Sequence, residues 1–295
     1  MTKSINSMHQ PSVSVIIVVY NAERTLKASI DSVLRQSYDN VELVVIDGSS
    51  TDDTINIIAS YGDRIGYFTS EKDKGIYDAM NKGIVAAKGD WLYFLGSDDE
   101  LKNTTVISDV FENRELGKNE FVYGNIRLRS NNNVLGGSRT YKELIEKNIS
   151  HQAIFYHKDI FRKTGPYDLK YKVLADYDQN LKIFRDEAIE KLFVPLDICL
   201  FNDKGGASNI TIDSSFFSDK LNYFTTVDHI STGSPMLQQY NFYHGIVLLM
   251  RDKKLKGLSF CIRAMVSGKR KMFYSLLFCK LLLAYVGIGK KMKIV

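Results

Sequence analysis

The chain has 295 residues, 44% of them hydrophobic and 25% charged, which describes a folded, water-soluble body with room for one large domain or two ordinary ones. Three cysteines, Cys199, Cys261 and Cys279, show no CxxC spacing, and the five histidines form neither HxxxH nor HExxH, which argues against a disulfide framework, a zinc framework and an imidazole-based metal centre. The net charge of +5 is uneven: from Arg251 onward 12 Lys and Arg face one acid, Asp252, for a balance of +11, while the first 250 residues carry 27 bases and 33 acids, so no nucleic-acid-binding face is expected on the folded body.

Residues 1–11, "MTKSINSMHQP", read as a polar N-terminal tail without the apolar stretch of a secretory signal, and a cytoplasmic location is expected. "SVSVIIVVY" (12–20) is too continuous in β-branched residues for a half-exposed strand and predicts one buried on both faces. The next segment sets Leu26, Ile30, Val33 and Leu34 on one helical stripe. "NVELVVIDG" (40–48) repeats the buried-strand signal, and the helix after it has Ser50 and Asp53 spaced as a capping box. A shorter strand, "IGYFTS" (65–70), leads to a helix through "YDAMNKGIVAAKG" with Gly89 as its C-cap, and then to the strand "DWLYFLG" (90–96). Four strand-helix alternations predict an α/β fold with a doubly wound, mostly parallel sheet.

Beyond residue 101 the alternation loosens. "FVYGNIRLRS" and "NNNVLGG" predict a hairpin, "HQAIFY" a strand, "DYDQNLKIF" a helix and "KLFVPLDICLF" a strand interrupted by Pro195. Helices are expected near 214–231 and 236–250. The expected organisation is one α/β domain over 12–210, in halves of 12–101 and 102–210, followed by a helical, basic extension over 211–295.

Ligands of open α/β sheets bind at the carboxyl ends of the strands. Those ends carry Tyr20 and Asn21, Asp47 to Ser49, and Asp98 with Asp99. Neither GxGxxG nor GxxxxGK[ST] follows the first strand, which removes the main support for dinucleotide and P-loop readings. Two adjacent carboxylates repel and raise each other's pKa unless a cation or donors lie between them. A divalent metal, Mn2+ or Mg2+, held by Asp98 and Asp99 and bridging a diphosphate would supply that cation. The plainer alternative is a solvated turn that caps a helix near Leu101.

The stretch "SVIIVVYNAERTLKASIDSVLRQSYDNVELVVIDGSSTDDT" followed by "SEKDKGIYDAMNKGIVAAKGDWLYFLGSDD" resembles the nucleotide-sugar-binding half of the family 2 glycosyltransferases of bacterial cell-surface polysaccharide synthesis, which have the GT-A fold. The resemblance continues more loosely to about residue 207. It implies that Tyr20, Asn21 and Asp47 line the nucleotide, that Asp73, Asn81 and Lys82 lie near nucleotide and sugar, and that Asp98 and Asp99 correspond to the metal-holding DxD region. Many members have Asp where this chain has Gly96. "LADYD" (174–178) resembles the family's acidic ED motif and puts the catalytic base at Asp176, with Ala175 in place of the common Glu; either Asp176 or Asp178 could instead cap the following helix. His151 and Gln152 could face acceptor or donor, or serve as structural hydrogen-bonders. Lys204 in "DKGGAS" could meet phosphate or belong to a surface turn, and Tyr141, Tyr167 and Tyr177 could stack on sugars.

The resemblance thus implies an inverting, metal-dependent glycosyltransferase that moves a sugar from a nucleotide-diphosphate donor, a UDP-sugar foremost, to a hydroxyl of a glycan or lipid-linked acceptor. The rivals are a nucleotidyltransferase, which would want a glycine-rich loop after the first strand, and a non-catalytic nucleotide-binding module. Residues 272–289, "MFYSLLFCKLLLAYVGIG", lie between "KRK" and "KKMK" and carry Lys280 near the middle. A central lysine costs a spanning helix about 2.5–3.5 kcal/mol, so the segment suits the surface of a membrane, peripheral on its inner face, better than a crossing. A helix packed on the protein, or a partner, could equally cover it.

Overall fold

The computed structural model describes residues 10–112, 116, 119–204, 213–250, 257–259, 261, 262, 275 and 278. The first two strands form where the β-branched runs predict them: β1 (Val13–Val19) and β2 (Val41–Asp47) are almost wholly buried and pair in parallel, Val13 opposite Val41. Between them α1 (Leu26–Leu34) buries Leu26 and Ile30 completely, each contributing about 1.5–3 kcal/mol of hydrophobic stabilisation. After α2 (Thr54–Ala59), β3 (Tyr67–Ser70) adds to the outer edge of β2. Helix α3 (Ile76–Ala86) then returns the chain to β4 (Trp91–Gly96) on the other side of β1, giving a parallel set in the order β3-β2-β1-β4.

The helix before β4 ends at Ala86 and not at Gly89. The Gly89 amide instead donates to Ser14 Oγ at 2.8 Å, tying the start of β4 to β1. The capping box also does not form. Ser50 turns away from the α2 terminus to Asp47, and Asp52 Oδ1 accepts from the Thr54 amide.

The later strands complete a mixed sheet. After β5 (Glu100–Leu101) and α4 (Val106–Phe111), β6 (Asn119–Leu128) forms the expected hairpin with β7 (Val134–Leu135). Strand β8 (Ile154–His157) runs antiparallel between β4 and β6, and β9 (Glu190–Phe201) lies parallel to β6 with β5 on its far side. Pro195 does not end β9. Tyr123 pairs with Phe193 and Asn125 with Asp197, so Val194, Pro195 and Leu196 oppose Gly124 alone, and the proline occupies a bulge where its missing N–H breaks no ladder bond.

By its contacts the chain divides into two compact units. The first, Met1–Thr140 with Ile149–Leu169 and Ala175–Gly206, holds the sheet, and in it α6 (Asp159–Thr164) and α7 (Ala175–Arg185) follow β8. Its core includes Phe94, Tyr156, Phe161 and Tyr167, with ring centroids 5.4–6.1 Å apart. Tyr167 and Tyr177 are buried, so neither offers a ring face to a sugar.

The second unit, Tyr141–Asn148 with Lys170–Leu174 and Ala207–Val295, contains α5 (Tyr141–Glu146), α8 (Ser214–Thr226) and α9 (Pro235–Met250). The Tyr141 hydroxyl donates to Asp228 here, and Phe242, Ile246 and Cys261 form a small core. Most of the apolar run 272–289 lies outside the described residues. Of the two described positions in it, Ser275 is helical and Phe278 packs on that core beside Leu249. Among the described residues no helix is long and apolar enough to cross a membrane.

Candidate active site

The site-bearing loops follow the carboxyl ends of β1, β2 and β4. After β1, Asn21 adopts a left-handed backbone (φ 49°), which asparagine tolerates, and this turns its side chain toward the β2 loop. Its amide donates to Ser50 Oγ at 2.8 Å, and its Oδ1 accepts from the Thr51 amide at 2.8 Å. Asp47 is fully buried at the end of β2. Ser50 Oγ donates to its Oδ1 at 2.5 Å, while the Ser50 amide and Ser70 Oγ donate to Oδ2 at 3.0 and 2.6 Å. Asp47 therefore ties the ends of β2 and β3 together, and through Ser50 it reaches Asn21 after β1.

Tyr20 stands 62% exposed beside this knot. A Cβ on Gly48 would lie 2.4 Å from Asp73 Oδ2 and 3.6 Å from a Tyr20 ring carbon, so the missing side chain lets these two residues converge over the β2 end. Asp73 is held there by the Gly75 amide at 2.8 Å. Asn81 does not join them. Its Nδ2 donates to the Tyr167 carbonyl and its Oδ1 accepts from the Tyr167 amide, both at 2.9 Å, which commits the whole side-chain amide to the fold. Lys82 pairs with Glu71 at 3.0 Å and donates to the Lys72 carbonyl at 3.3 Å, on the segment that carries Asp73.

The adjacent carboxylates after β4 occupy different environments. Asp99 is 1% exposed; its Oδ1 accepts from the Asn202 amide at 2.7 Å and its Oδ2 from Gln152 Nε2 at 3.0 Å. Burial pushes its carboxyl up to about 6, and the charge of Asp98 adds to the rise against the lowering effect of its donors. Asp98 is only half-buried and accepts from Asn202 Nδ2 at 3.0 Å through Oδ2. A Cβ on Gly96 would fall 2.4 Å from Asp99 Oδ2, so the carboxylate folds back over a position where an Asp side chain would collide with it.

Asp176 of "LADYD" lies where α3 and the turn before β8 meet the first turn of α7. It is 7% exposed; Tyr77 donates to its Oδ1 at 2.7 Å, and His151 Nδ1 stands 3.4 Å from its Oδ2. Asp178 forms an ion pair with Lys182 at 2.8 Å. His151 and Gln152 sit not on a strand but in a one-turn 3₁₀ helix, His151–Ala153, fixed by Tyr93, whose hydroxyl donates to the Gln152 carbonyl at 2.8 Å. Successive residues of this turn thus reach both acidic centres. Lys204 is exposed just beyond Asn202 and contacts neither of them.

Asn202 and Tyr77 belong to the site although nothing local in the sequence marks either one. Asn202 precedes a turn like any strand-terminal asparagine, and Tyr77 is one of 17 tyrosines.

The family model described as "Glycosyl transferase family 2" matches residues 14–193, a span holding Tyr20, Asp47, Asp98, Asp99, His151, Gln152 and Asp176. The chain belongs to the family 2 glycosyltransferases. A relative named "PGL/p-HBAD biosynthesis glycosyltransferase" in Mycobacterium bovis is 34% identical over 271 residues, covering 90% of this chain and 100% of its own length. Among solved structures, S. aureus TarS 1-349 in complex with UDP-GlcNAc superposes with a TM-score of 0.64 at 15% identity, over 94% of this chain and 88% of that one. This chain spans only 44% of a longer TarS chain. The mannosyltransferase PcManGT of Pyrobaculum calidifontis, in complex with GDP-Man and Mn2+, gives 0.57 at 15% identity over 95% and 83%. At such identities these likenesses show the fold, which is that of the GT-A glycosyltransferases. The family also makes the chain an enzyme, and the nucleotidyltransferase and non-catalytic rivals fall.

Proposed function

We propose that this enzyme is an inverting glycosyltransferase that takes a sugar from a nucleotide-diphosphate donor, a UDP-sugar foremost, and passes it to a hydroxyl of a glycan or lipid-linked acceptor. The observation that carries the reading is the His151–Ala153 turn, whose first two residues touch Asp176 and Asp99. That turn holds one acidic centre for the donor's diphosphate and another for the acceptor's proton in fixed relation. The TarS complex with UDP-GlcNAc supports a UDP-sugar, and the relative named for PGL/p-HBAD biosynthesis supports a biosynthetic transfer.

Tyr20, Asp73 and the Asn21–Asp47–Ser50 knot form the floor for the nucleotide. Among the described residues no three His, Cys, Asp or Glu side chains gather to hold a metal. A cation with a single protein carboxylate still fits, since Mg2+ and Mn2+ commonly take one or two carboxylates plus substrate phosphates and water. Asp98 would be that ligand, because its Oδ1 has no partner among the described residues, and Asp99 would stand behind it, aligning the loop through Asn202. When bound, the ion would neutralise charge on the departing diphosphate. The Asp176 centre receives the acceptor's proton as the acceptor oxygen attacks the anomeric carbon from the face opposite the diphosphate, and no covalent enzyme intermediate forms.

The charge of +11 from Arg251 onward, with 272–289 between its basic brackets, supports docking on an anionic membrane where a lipid-linked acceptor is presented. Sedimentation with anionic vesicles, partly reversed by salt, is expected; indifference to vesicles at low salt refutes this part alone. The main reading is tested by calorimetric titration of UDP and GDP with and without Mn2+. Wild type should bind one of them in a metal-dependent way, and Asp98→Asn should lose that dependence while keeping its melting temperature. Unchanged binding by Asp98→Asn overturns the metal assignment.

A further inference from the structure

The acceptor's proton arrives at the Asp176 centre, where a single atom must take it. Two atoms are available. The Asp176 carboxylate is the one the motif suggests, yet both of its oxygens face protein groups, Oδ1 the Tyr77 hydroxyl and Oδ2 the His151 ring. Its side chain is 10% exposed against 17% for His151. Turned with Nδ1 toward Asp176, the imidazole presents Nε2, which makes no hydrogen bond to any described residue. The separation of 3.4 Å is long, as catalytic hydrogen bonds often are without substrate.

Resting on the proposed glycosyl transfer, we infer that His151 Nε2 is the proton acceptor and that Asp176 works through it. The buried carboxylate, steadied by Tyr77, accepts from Nδ1–H, which fixes the neutral tautomer with a bare Nε2 and offsets the positive charge of the imidazolium that follows. In the transfer, the acceptor O–H bond breaks and its proton passes to Nε2. The freed oxygen pair forms the new bond to the anomeric carbon. The bond from that carbon to the diphosphate breaks, and its electrons leave with the nucleotide. The charge account closes within the pair: His151 becomes +1 beside Asp176 at −1, and the proton is later lost to water. Among the described residues Asp99 at the end of β4 also interacts electrostatically with the ring, and Tyr77 of α3 stands behind Asp176.

The order of roles can be read without knowing the acceptor. Nitrogen-15 NMR of the imidazole in the intact protein should show neutral His151 protonated on Nδ1, the minor form of free histidine, and Asp176→Asn should shift it toward the Nε2–H form. An Nε2–H tautomer in wild type overturns the inference, whatever the donor. With UDP-GlcNAc and GDP-Man as probes, release of nucleotide by His151→Ala should fall about 10²-fold or more while its affinity for UDP or GDP with Mn2+ stays within about twofold, and added imidazole should restore part of the rate. His151→Ala at wild-type rate, or a loss that imidazole cannot relieve at unchanged melting temperature, overturns it. If wild type binds neither UDP nor GDP, the donor reading fails instead, and the tautomer still decides the role of His151.

Discussion

Gln152 Nε2 donates to Asp99 Oδ2 at 3.0 Å, joining the acidic loop after β4 to the turn that carries His151. An ionised carboxylate at 1% exposure needs its donors, because a buried acceptor left unpaired costs about 1–3 kcal/mol, and more when charged. Gln152→Ala should therefore destabilise the fold by about that amount. It should also weaken Mn2+-dependent nucleotide binding about 10- to 100-fold, as loss of an outer-shell partner commonly does. Melting curves and titration calorimetry read the two effects separately, and full retention of nucleotide affinity would show that Asp99 does not align Asp98.

Because burial raises the Asp99 carboxyl to about 6, against about 3.9 in an unfolded chain, protonated Asp99 favours the folded state. That contribution is complete below about pH 3.9 and is lost as pH rises through about 6. Two units correspond to at most about 3 kcal/mol. In chelator, the stability of wild type relative to Asp99→Asn should thus fall between about pH 4 and about pH 7 and level off above. A flat difference across that interval would mean that its two donors fully compensate the burial.

Tyr77→Phe removes the donor to Asp176 Oδ1 and leaves the ring, which packs 5.4 Å from Tyr167. A hydrogen bond to a charged group is worth about 1.5–3 kcal/mol. Turnover should drop about 10- to 100-fold with nucleotide affinity unchanged, since the lost contact acts on the centre proposed to take the acceptor's proton. A drop in nucleotide affinity instead, seen by calorimetry, would move Tyr77 to the donor side.

Asn81 gives both ends of its amide to the Tyr167 backbone. Asn81→Ala should lower the melting temperature while the folded protein binds UDP or GDP with Mn2+ as wild type does. Weakened binding at undiminished stability would restore the contact with the nucleotide that the family resemblance implies.

Much of the fold is legible along the chain because strand and helix periodicity are local. The buried-strand runs at 12–20 and 40–48 and the alternation through residue 96 stand as read. Features that need a neighbour do not. Ser50 has the spacing of a capping box, but Asp47 is the better acceptor; Gly89 has the look of a helix end, but the Ser14 hydroxyl takes its amide; Pro195 has the look of a break, but β6 supplies a partner for the bulge.

By itself the sequence determined the parallel half of the sheet, the strand ends where polar residues gather, and the presence of two acidic centres, Asp98 with Asp99 and Asp176. Only the tertiary structure decided how those carboxylates differ. Asp98 and Asp99 are adjacent and chemically identical in the chain, yet Gln152 and Asn202, 53 and 103 positions away from Asp99, enclose one and leave the other half-open. His151 and Asp176 are likewise 25 positions apart, and Tyr77 precedes Asp176 by 99. Burial, hydrogen-bond partners and access belong to contacts made after the chain has closed on itself, so no period or spacing along it could assign them.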